Sequence, residues 1–331
     1  ATAQHRAMLD QVMTLFGIQP DIDLNIMQAN QTLAQLTGNL LLRVEPILLQ
    51  EKPDIVLIQG DTTTVMSVAL ACFYHKIPIG HVEAGLRTWD MHNPFPEEMN
   101  RVIAGKLAGL HFVPTEGSRQ NLLREGVQDS KITVTGNTVI DALLMTAEAG
   151  TEIGIPLDPD KRLVLVTSHR RENFGAPFRS ICNALLTLAR NNPRVEFLYP
   201  VHPNPNVKDT AFSMLNAQNN IILCEPLDYG AFVAAMKRSF LIISDSGGVQ
   251  EEAPALGKPV LVLRDETERP EAVELGVVKL VGTDYDLIVS TVQELLDDES
   301  AYSKMSRGVS PYGDGNAASR IVEVLQKMFC K

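Results

Sequence analysis

Along this chain, short β-rich runs that are apolar at nearly every position alternate with helix-length amphipathic segments, and the alternation occurs twice. The first series comprises Asp54-Ile55-Val56-Leu57-Ile58, Pro78-Ile79-Gly80-His81-Val82, Leu110-His111-Phe112-Val113 and Lys131-Ile132-Thr133-Val134. A strand apolar on both faces must be covered on both, and strand–helix alternation at this spacing achieves that with a parallel sheet between helical layers. After about residue 145 the pattern pauses. Residues 149–161 hold two glycines, two prolines and no clear period, which predicts an interdomain linker. The alternation then restarts: Leu163 to Val166, Val195 to Tyr199, Ile221 to Leu223, Leu241 to Ile243, Val260 to Leu263 and Val277 to Val281. From Asp284 the chain is helical in character, broken near Pro311-Tyr312-Gly313-Asp314-Gly315. The pattern predicts an α/β chain of two doubly wound domains, 1–148 and 149–312, with ligands at the carboxyl ends of the strands.

Composition narrows the class of ligand. With 331 residues, 45% of them hydrophobic, the chain can bury two cores of ordinary size. A formal charge of −11, with no basic cluster longer than Arg170-Arg171, argues against nucleic acid or an anionic membrane as partner. Anionic ligands must therefore be held by local donors. Cys72, Cys182, Cys224 and Cys330 lie far apart, without a metal-binding pair or a disulfide pattern, and read as reduced thiols in a cytoplasmic protein. No apolar run approaches the roughly 18–20 residues of a membrane span, and no signal peptide is evident. The chain opens at Ala1 and runs into a helix-like stretch, as though something preceded it.

Chemistry-bearing residues follow the strand ends. Ser244-Asp245-Ser246-Gly247-Gly248-Val249-Gln250-Glu251-Glu252 follows an apolar run and opens a helix, leaving bare N–H groups that favour a phosphate, with a carboxylate one to two turns in for a ribose diol. The alternative is an ordinary Gly-Gly turn. Asp61, in Gly60-Asp61-Thr62, is either an N-cap, a catalytic carboxylate, or both. Glu83 directly follows a buried strand and must be desolvated or paired; function is favoured over a plain Glu–Arg pair. Pro96-Glu97-Glu98-Met99-Asn100-Arg101 reads as a helix start with Pro in its first turn, and Glu97 and Arg101 share a face, as a surface pair would. Ser168-His169-Arg170-Arg171 places an imidazole and two guanidiniums past a strand, suited to phosphate or simply a solvated basic loop. Arg269, one arginine among four acids in residues 265–271, either pairs within its loop or points into a cleft. His202 has too little local context to decide. There is no His-Glu-x-x-His zinc spacing and no Gly-x-Ser-x-Gly elbow.

Taken together and in order, Gly60 to Thr64, His81 to Thr88, Pro96 to Arg101, Thr135 to Thr138, His169 to Asn173, Ser246 to Pro254, Thr267 to Glu271 and the tail Pro311 to Gly315 closely resemble the non-hydrolysing UDP-N-acetylglucosamine 2-epimerases. The resemblance implies two Rossmann-like domains of the GT-B type, an active site in the interdomain cleft, and a final helix, 313–331, that returns to the first domain. It implies a homodimer acting on a nucleotide sugar, with no metal or redox cofactor. The reaction it implies is elimination of UDP to 2-acetamidoglucal and re-addition with the proton on the opposite face, supplying N-acetylmannosamine for cell-surface polysaccharide.

Carried over by position, Asp61, Glu83 and Glu97 are the sugar-side carboxylates, with Arg101 beside them and His169 at the departing phosphate. Ser246, Gly247 and Gly248 would hold the pyrophosphate, Glu252 (or Glu251) the ribose, Phe232 the uracil and Arg269 the nucleotide end. Some bacterial members bind a second UDP-N-acetylglucosamine as activator through positions matching Gln4, Glu97, Arg170 and His202. Ala7 and Asn30 stand here where those members carry glutamine and arginine. Members also open with a strand and a Gly-Thr-Arg-Pro-Glu loop that this sequence does not contain. The expectation is an exposed or gapped sheet, UDP binding through the second domain, and little or no epimerase activity from these 331 residues. The competing functions are a hydrolysing 2-epimerase, a GT-B glycosyltransferase and an inactive nucleotide-sugar binding protein. The carboxylate trio favours the epimerase.

Overall fold

The computed structural model describes residues 1–2, 6–28, 30–267 and 269–329. The chain divides into two compact units. Unit 1 is Ala1–Asp141 with Gly315–Lys331, and unit 2 is Ala142–Asp314.

In unit 1, α1 (Arg6–Leu15) and α2 (Leu33–Glu51) precede the alternation β1 (Val56–Gln59), α3 (Thr63–Tyr74), β2 (Ile79–Val82), α4 (Glu97–Leu107), β3 (Leu110–Val113), α5 (Glu116–Arg124) and β4 (Ile132–Val134). Helix α6 (Thr138–Ala149) follows and carries the chain across the division between units. The strands pair in parallel in the order β1-β2-β3-β4. Every strand is short and β2 is buried throughout. Val44 and Leu48 of α2, Val65 and Ala69 of α3 and Ala104 of α4 pack with Ile58 and Ile79 of the sheet. Helix starts coincide with residues that accept from bare N–H groups. Thr32 closes a capping box with Gln35, and Thr62 and Thr115 cap α3 and α5.

Unit 2 runs β5 (Arg162–Thr167), α7 (Ala176–Asn191), β6 (Val195–Pro200), α8 (Pro205–Leu215), β7 (Ile221–Cys224), α9 (Tyr229–Arg238), β8 (Leu241–Ser244), α10 (Gly247–Ala255), β9 (Val260–Val262), α11 (Pro270–Glu274) and β10 (Val278–Leu280). Helices α12 (Tyr285–Asp297) and α13 (Glu299–Met305) complete it; α14 (Ala317–Phe329) belongs to unit 1. The sheet order is β10-β9-β8-β5-β6-β7, all parallel. Its central strands are the ones that read as apolar on both faces: Leu163 to Val166 and the whole of β8 and β9 are buried. Each fully buried Leu or Ile stabilises the unit by roughly 1.5–3 kcal/mol relative to an exposed one.

The winding of unit 2 reverses between β5 and β8. From β5 the chain builds outward through β6 and β7, then returns to place β8 on the other side of β5 and builds the other way. In open α/β sheets the loops leaving the strands at such a point diverge and leave a crevice. Here those loops start at Ser168 and at Asp245. The two parallel α/β units are the fold that the resemblance implies. Among the described residues, no helix is long and apolar enough to cross a membrane.

Candidate functional site

In unit 1 the register pairs Gln59 with Val82, so the loops holding Asp61 and Glu83 leave adjacent strands at the same level. Three interactions shape them. Gly60, at φ +78°, takes the turn, donates to the Val82 carbonyl and accepts from His81 Nε2 at 2.8 Å. A Cβ on Gly60 would lie 3.6 Å from Glu83 Oε2, so the two loops are in close contact. Glu83 itself is left-handed, φ +61°, which is uncommon for a residue with a side chain and of the kind found where function holds a strained backbone. Asn137, at the end of β4, reaches Glu83 Oε1 at 3.4 Å. Gly85 has no substitute: a Cβ there would collide with the Ser118 carbonyl.

Two of the ordinary alternatives for these carboxylates do not hold. Asp61 is not the N-cap of α3. Thr62 caps it by accepting from Val65 N–H, which leaves the Asp61 carboxylate to pair with Arg101 Nη2 at 2.7 Å. Glu83 is not paired with Arg87, because Arg87 donates to both oxygens of Glu125, at 2.6 and 3.0 Å. Nor do Glu97 and Arg101 form the expected surface pair: among the described residues Arg101 pairs with Asp61 and, at 3.3 Å, with Glu98. Pro96 precedes the first turn of α4 as its N-cap rather than lying within it, and Glu97 is the first helical residue.

In unit 2 the crevice at the reversal gathers the second group. His169 Nδ1 lies 3.1 Å from Asp245 Oδ1. The His169 and His202 rings stack, with centroids 5.8 Å apart, while His202 Nδ1 accepts from Asn204 N–H. The Arg170 guanidinium turns onto the Asp245 carbonyl through Nε at 3.0 Å and toward Glu172 at 3.4 Å. Ser246 is the N-cap of α10, but its side chain makes no capping bond, so the N–H groups that begin the helix keep their capacity for an anion. Arg269 adds a cation there, since its Nη1 lies 2.7 Å from where a Cβ on Gly247 would stand. It is held by Glu251 at 2.5 Å, outside its own loop.

Glu252 is buried and accepts from the Tyr229 hydroxyl at 2.8 Å. Phe232, half-buried, sits three residues beyond Tyr229 on α9 and so shares its face. Gln4, assigned with Arg170 and His202 to a regulatory site, lies outside the described residues. No group of three or more His, Cys, Asp or Glu side chains among the described residues is arranged to hold a metal ion.

The model of the UDP-N-acetylglucosamine 2-epimerase family matches residues 1–326. The chain belongs to that family. It is 55% identical to the UDP-N-acetylglucosamine 2-epimerase of Escherichia coli O157:H7 over 335 aligned residues, covering 98% of this chain and 89% of the relative. Its backbone resembles a UDP-GlcNAc 2-epimerase from Neisseria meningitidis solved with bound UDP-GlcNAc, with TM-score 0.88, 47% identity, and 98% and 90% of the two chains covered. It also resembles the Methanocaldococcus jannaschii UDP-GlcNAc 2-epimerase in complex with UDP-GlcNAc and UDP, with TM-score 0.77, 34% identity, and 98% and 90% covered.

Within this 2-epimerase fold, three residues at the two groups escaped the sequence reading. Glu98 is buried and accepts from Thr88 and Trp89 N–H, both at 3.1 Å, pinning the loop that follows Glu83. Tyr229 is the partner of Glu252. Asp245 ties the His169 loop to β8. Asp245 carried a usable signal, because it is a carboxylate directly after a buried strand, as Glu83 is.

Proposed function

We propose that this protein reversibly converts UDP-N-acetylglucosamine to UDP-N-acetylmannosamine without net hydrolysis. The observation that carries the reading is the group of side chains that each unit gathers at its own strand ends. Carboxylates converge at the ends of β1 and β2, and an uncapped helix start, Arg269 and His169 gather where the winding reverses. The C2 hydrogen of the sugar is not beside a carbonyl, so direct deprotonation is unfavourable. In the proposed route a base takes that proton, the C1–O bond breaks with its electron pair leaving on UDP, and a C1–C2 double bond forms, giving 2-acetamidoglucal. UDP then re-adds through its phosphate oxygen at C1 while C2 receives a proton on the other face. The oxidation state is unchanged, so the route needs no redox cofactor.

Asp61, Glu83 and Glu97, with Arg101, serve the sugar. His169 stabilises the departing phosphate. Ser246, Gly247 and Gly248 hold the pyrophosphate, Glu252 the ribose, Phe232 the uracil and Arg269 the nucleotide end. The same reading makes the protein a cytoplasmic homodimer that supplies N-acetylmannosamine for surface polysaccharide. Exposed Leu42 and Leu49 on α2 and Phe73 and Tyr74 at the end of α3 are in keeping with a second copy as partner.

The test is UDP-N-acetylglucosamine alone in deuterated water, with products resolved by NMR. The 331-residue chain is assayed beside one extended by a strand and a Gly-Thr-Arg-Pro-Glu loop. At least one version should yield both epimers with deuterium at C2. Glu83→Gln should abolish isotope uptake while UDP still binds. Accumulation of free N-acetylmannosamine with UDP points instead to the hydrolysing reaction, and turnover by neither version overturns the reading.

A further inference from the structure

Asp245 is a fully buried carboxylate with an unusual division of labour between its two oxygens. Oδ2 accepts from four donors, all on the loop after β5: Ser168 Oγ at 2.9 Å, His169 N–H at 2.8 Å, Arg170 N–H at 3.0 Å and Asn173 Nδ2 at 3.2 Å. Oδ1 is buried and makes no hydrogen bond to a described group; the polar atom facing it is His169 Nδ1, at an ion-pair distance of 3.1 Å. The imidazole is 43% exposed, whereas the carboxylate behind it is sealed from water. Loop and carboxylate are fixed to one another through the sheet, because Thr167 and Ser244 pair in register across β5 and β8 and their hydroxyls lie 2.7 Å apart. Tyr199 OH adds a bond to the Ser168 carbonyl from β6.

We propose that Asp245 is the positioning residue for His169, holding its Nδ1–H so that Nε2 is the nitrogen presented to the departing phosphate. This deepens the functional reading above and rests on it. A carboxylate accepts only, so the nitrogen facing Oδ1 must carry the proton. Nε2, which makes no hydrogen bond to a described residue, is then fixed in direction and gains a proton only in the cationic form, whose charge the carboxylate offsets. The cationic form is the one that donates to a phosphate whose charge grows as the C1–O bond breaks. Burial alone would raise the Asp245 carboxyl, but hydrogen bonds from His169 and the Arg170 backbone more than reverse this and hold it below its ordinary value, as a constant negative partner requires. The groups around the imidazole are Asp245, the stacked His202 ring and the Arg170 guanidinium on the same loop.

Two measurements test this. In the 331-residue chain, ¹⁵N NMR of labelled histidine should show His169 protonated at Nδ1 with and without UDP. Nδ1 unprotonated at neutral pH overturns the proposal, whether or not any turnover is seen. The second is a double-mutant cycle, run on whichever version of the protein turns over. Asp245→Asn puts either an amide N–H against Nδ1 or a weaker acceptor in its place, and should lower kcat about 10- to 100-fold with KM and UDP affinity changed less than about threefold. His169→Gln alone and the double variant should be equally slow. A double variant slower than His169→Gln by the full Asp245→Asn factor, or an Asp245→Asn variant with wild-type kcat, shows that the carboxylate does not act through the imidazole. Failure of the underlying reading is distinct: UDP-N-acetylglucosamine is not epimerised by any version, while the NMR result stands.

Discussion

Glu252, proposed above to take the ribose, shows what burial costs a single carboxyl side chain. Burial, the larger cause, pushes its carboxyl up to about 7 from an ordinary 4.5, and neighbouring Glu251 adds to this while the Tyr229 hydroxyl opposes it. The folded protein therefore binds a proton that the unfolded chain releases between about pH 4.5 and 7. Stability contributed by this group falls as pH rises through that window, with a full deficit of about 3 kcal/mol above it. Glu252→Gln should accordingly raise the melting temperature at pH 8 more than at pH 5, while weakening UDP binding by calorimetry. An equal shift at both pH values would show that the carboxyl titrates normally. Sequence order exposed Glu252, Glu83 and Asp61 because each follows a strand end or opens a helix. It did not expose what they touch. The four donors on Asp245 lie 72–77 residues before it, and that pairing exists only because β5 and β8 are neighbours.

Elements carry a different pH dependence, set by the pair β2 and β3. His81 and His111 stand opposite each other in register, and both are almost fully buried. Burial, with the nearby charges of His81 and Arg87 adding, pushes His111 down to about 4. His81 is also lowered, chiefly by burial and against its hydrogen bond to Gly60. In the unfolded chain both take up protons near pH 6.5, so their contribution to stability is fully present above that value and is lost as pH falls below it, for His111 down to about 4. At pH 5 the loss from His111 alone is about 2 kcal/mol. Differential scanning calorimetry should show the transition of unit 1 falling between pH 7 and pH 5, and His111→Gln should flatten that slope; an unchanged slope places the acid sensitivity elsewhere. The ten strands were legible because runs apolar on both faces admit few other structures. Helix starts were legible only to within a residue. Asp61 and Thr62 both offer a capping oxygen, and the choice fell to Thr62 once Arg101 drew Asp61 away.

At the scale of the whole molecule, the two runs of alternation were legible in the sequence, but the order β10-β9-β8-β5-β6-β7 was not, since strand adjacency is decided by packing across the sheet rather than by neighbours in sequence. The contacts that seat the last helix, expected by resemblance to return to the first domain, were equally hidden in the sequence. Asp141, the final residue of the first segment of unit 1, accepts from Ala317 and Ala318 N–H at 3.1 and 2.9 Å and so caps the start of α14, while Arg320 Nη1 donates to the Thr135 carbonyl. Ile321 then packs on Val82 and Phe112, in the strands beside the Glu83 loop. Asp141→Ala should destabilise unit 1 by about 1–2 kcal/mol in urea titration and leave the unfolding of unit 2 unchanged; equal destabilisation of both would mean that they unfold as one. That capping bond also gives the gene a joint. Unit 2 is a guest inserted into a host, with departure and return of the polypeptide fastened by one carboxylate, so the two ends of the host that a shorter insert would have to join already lie within hydrogen-bond reach of each other.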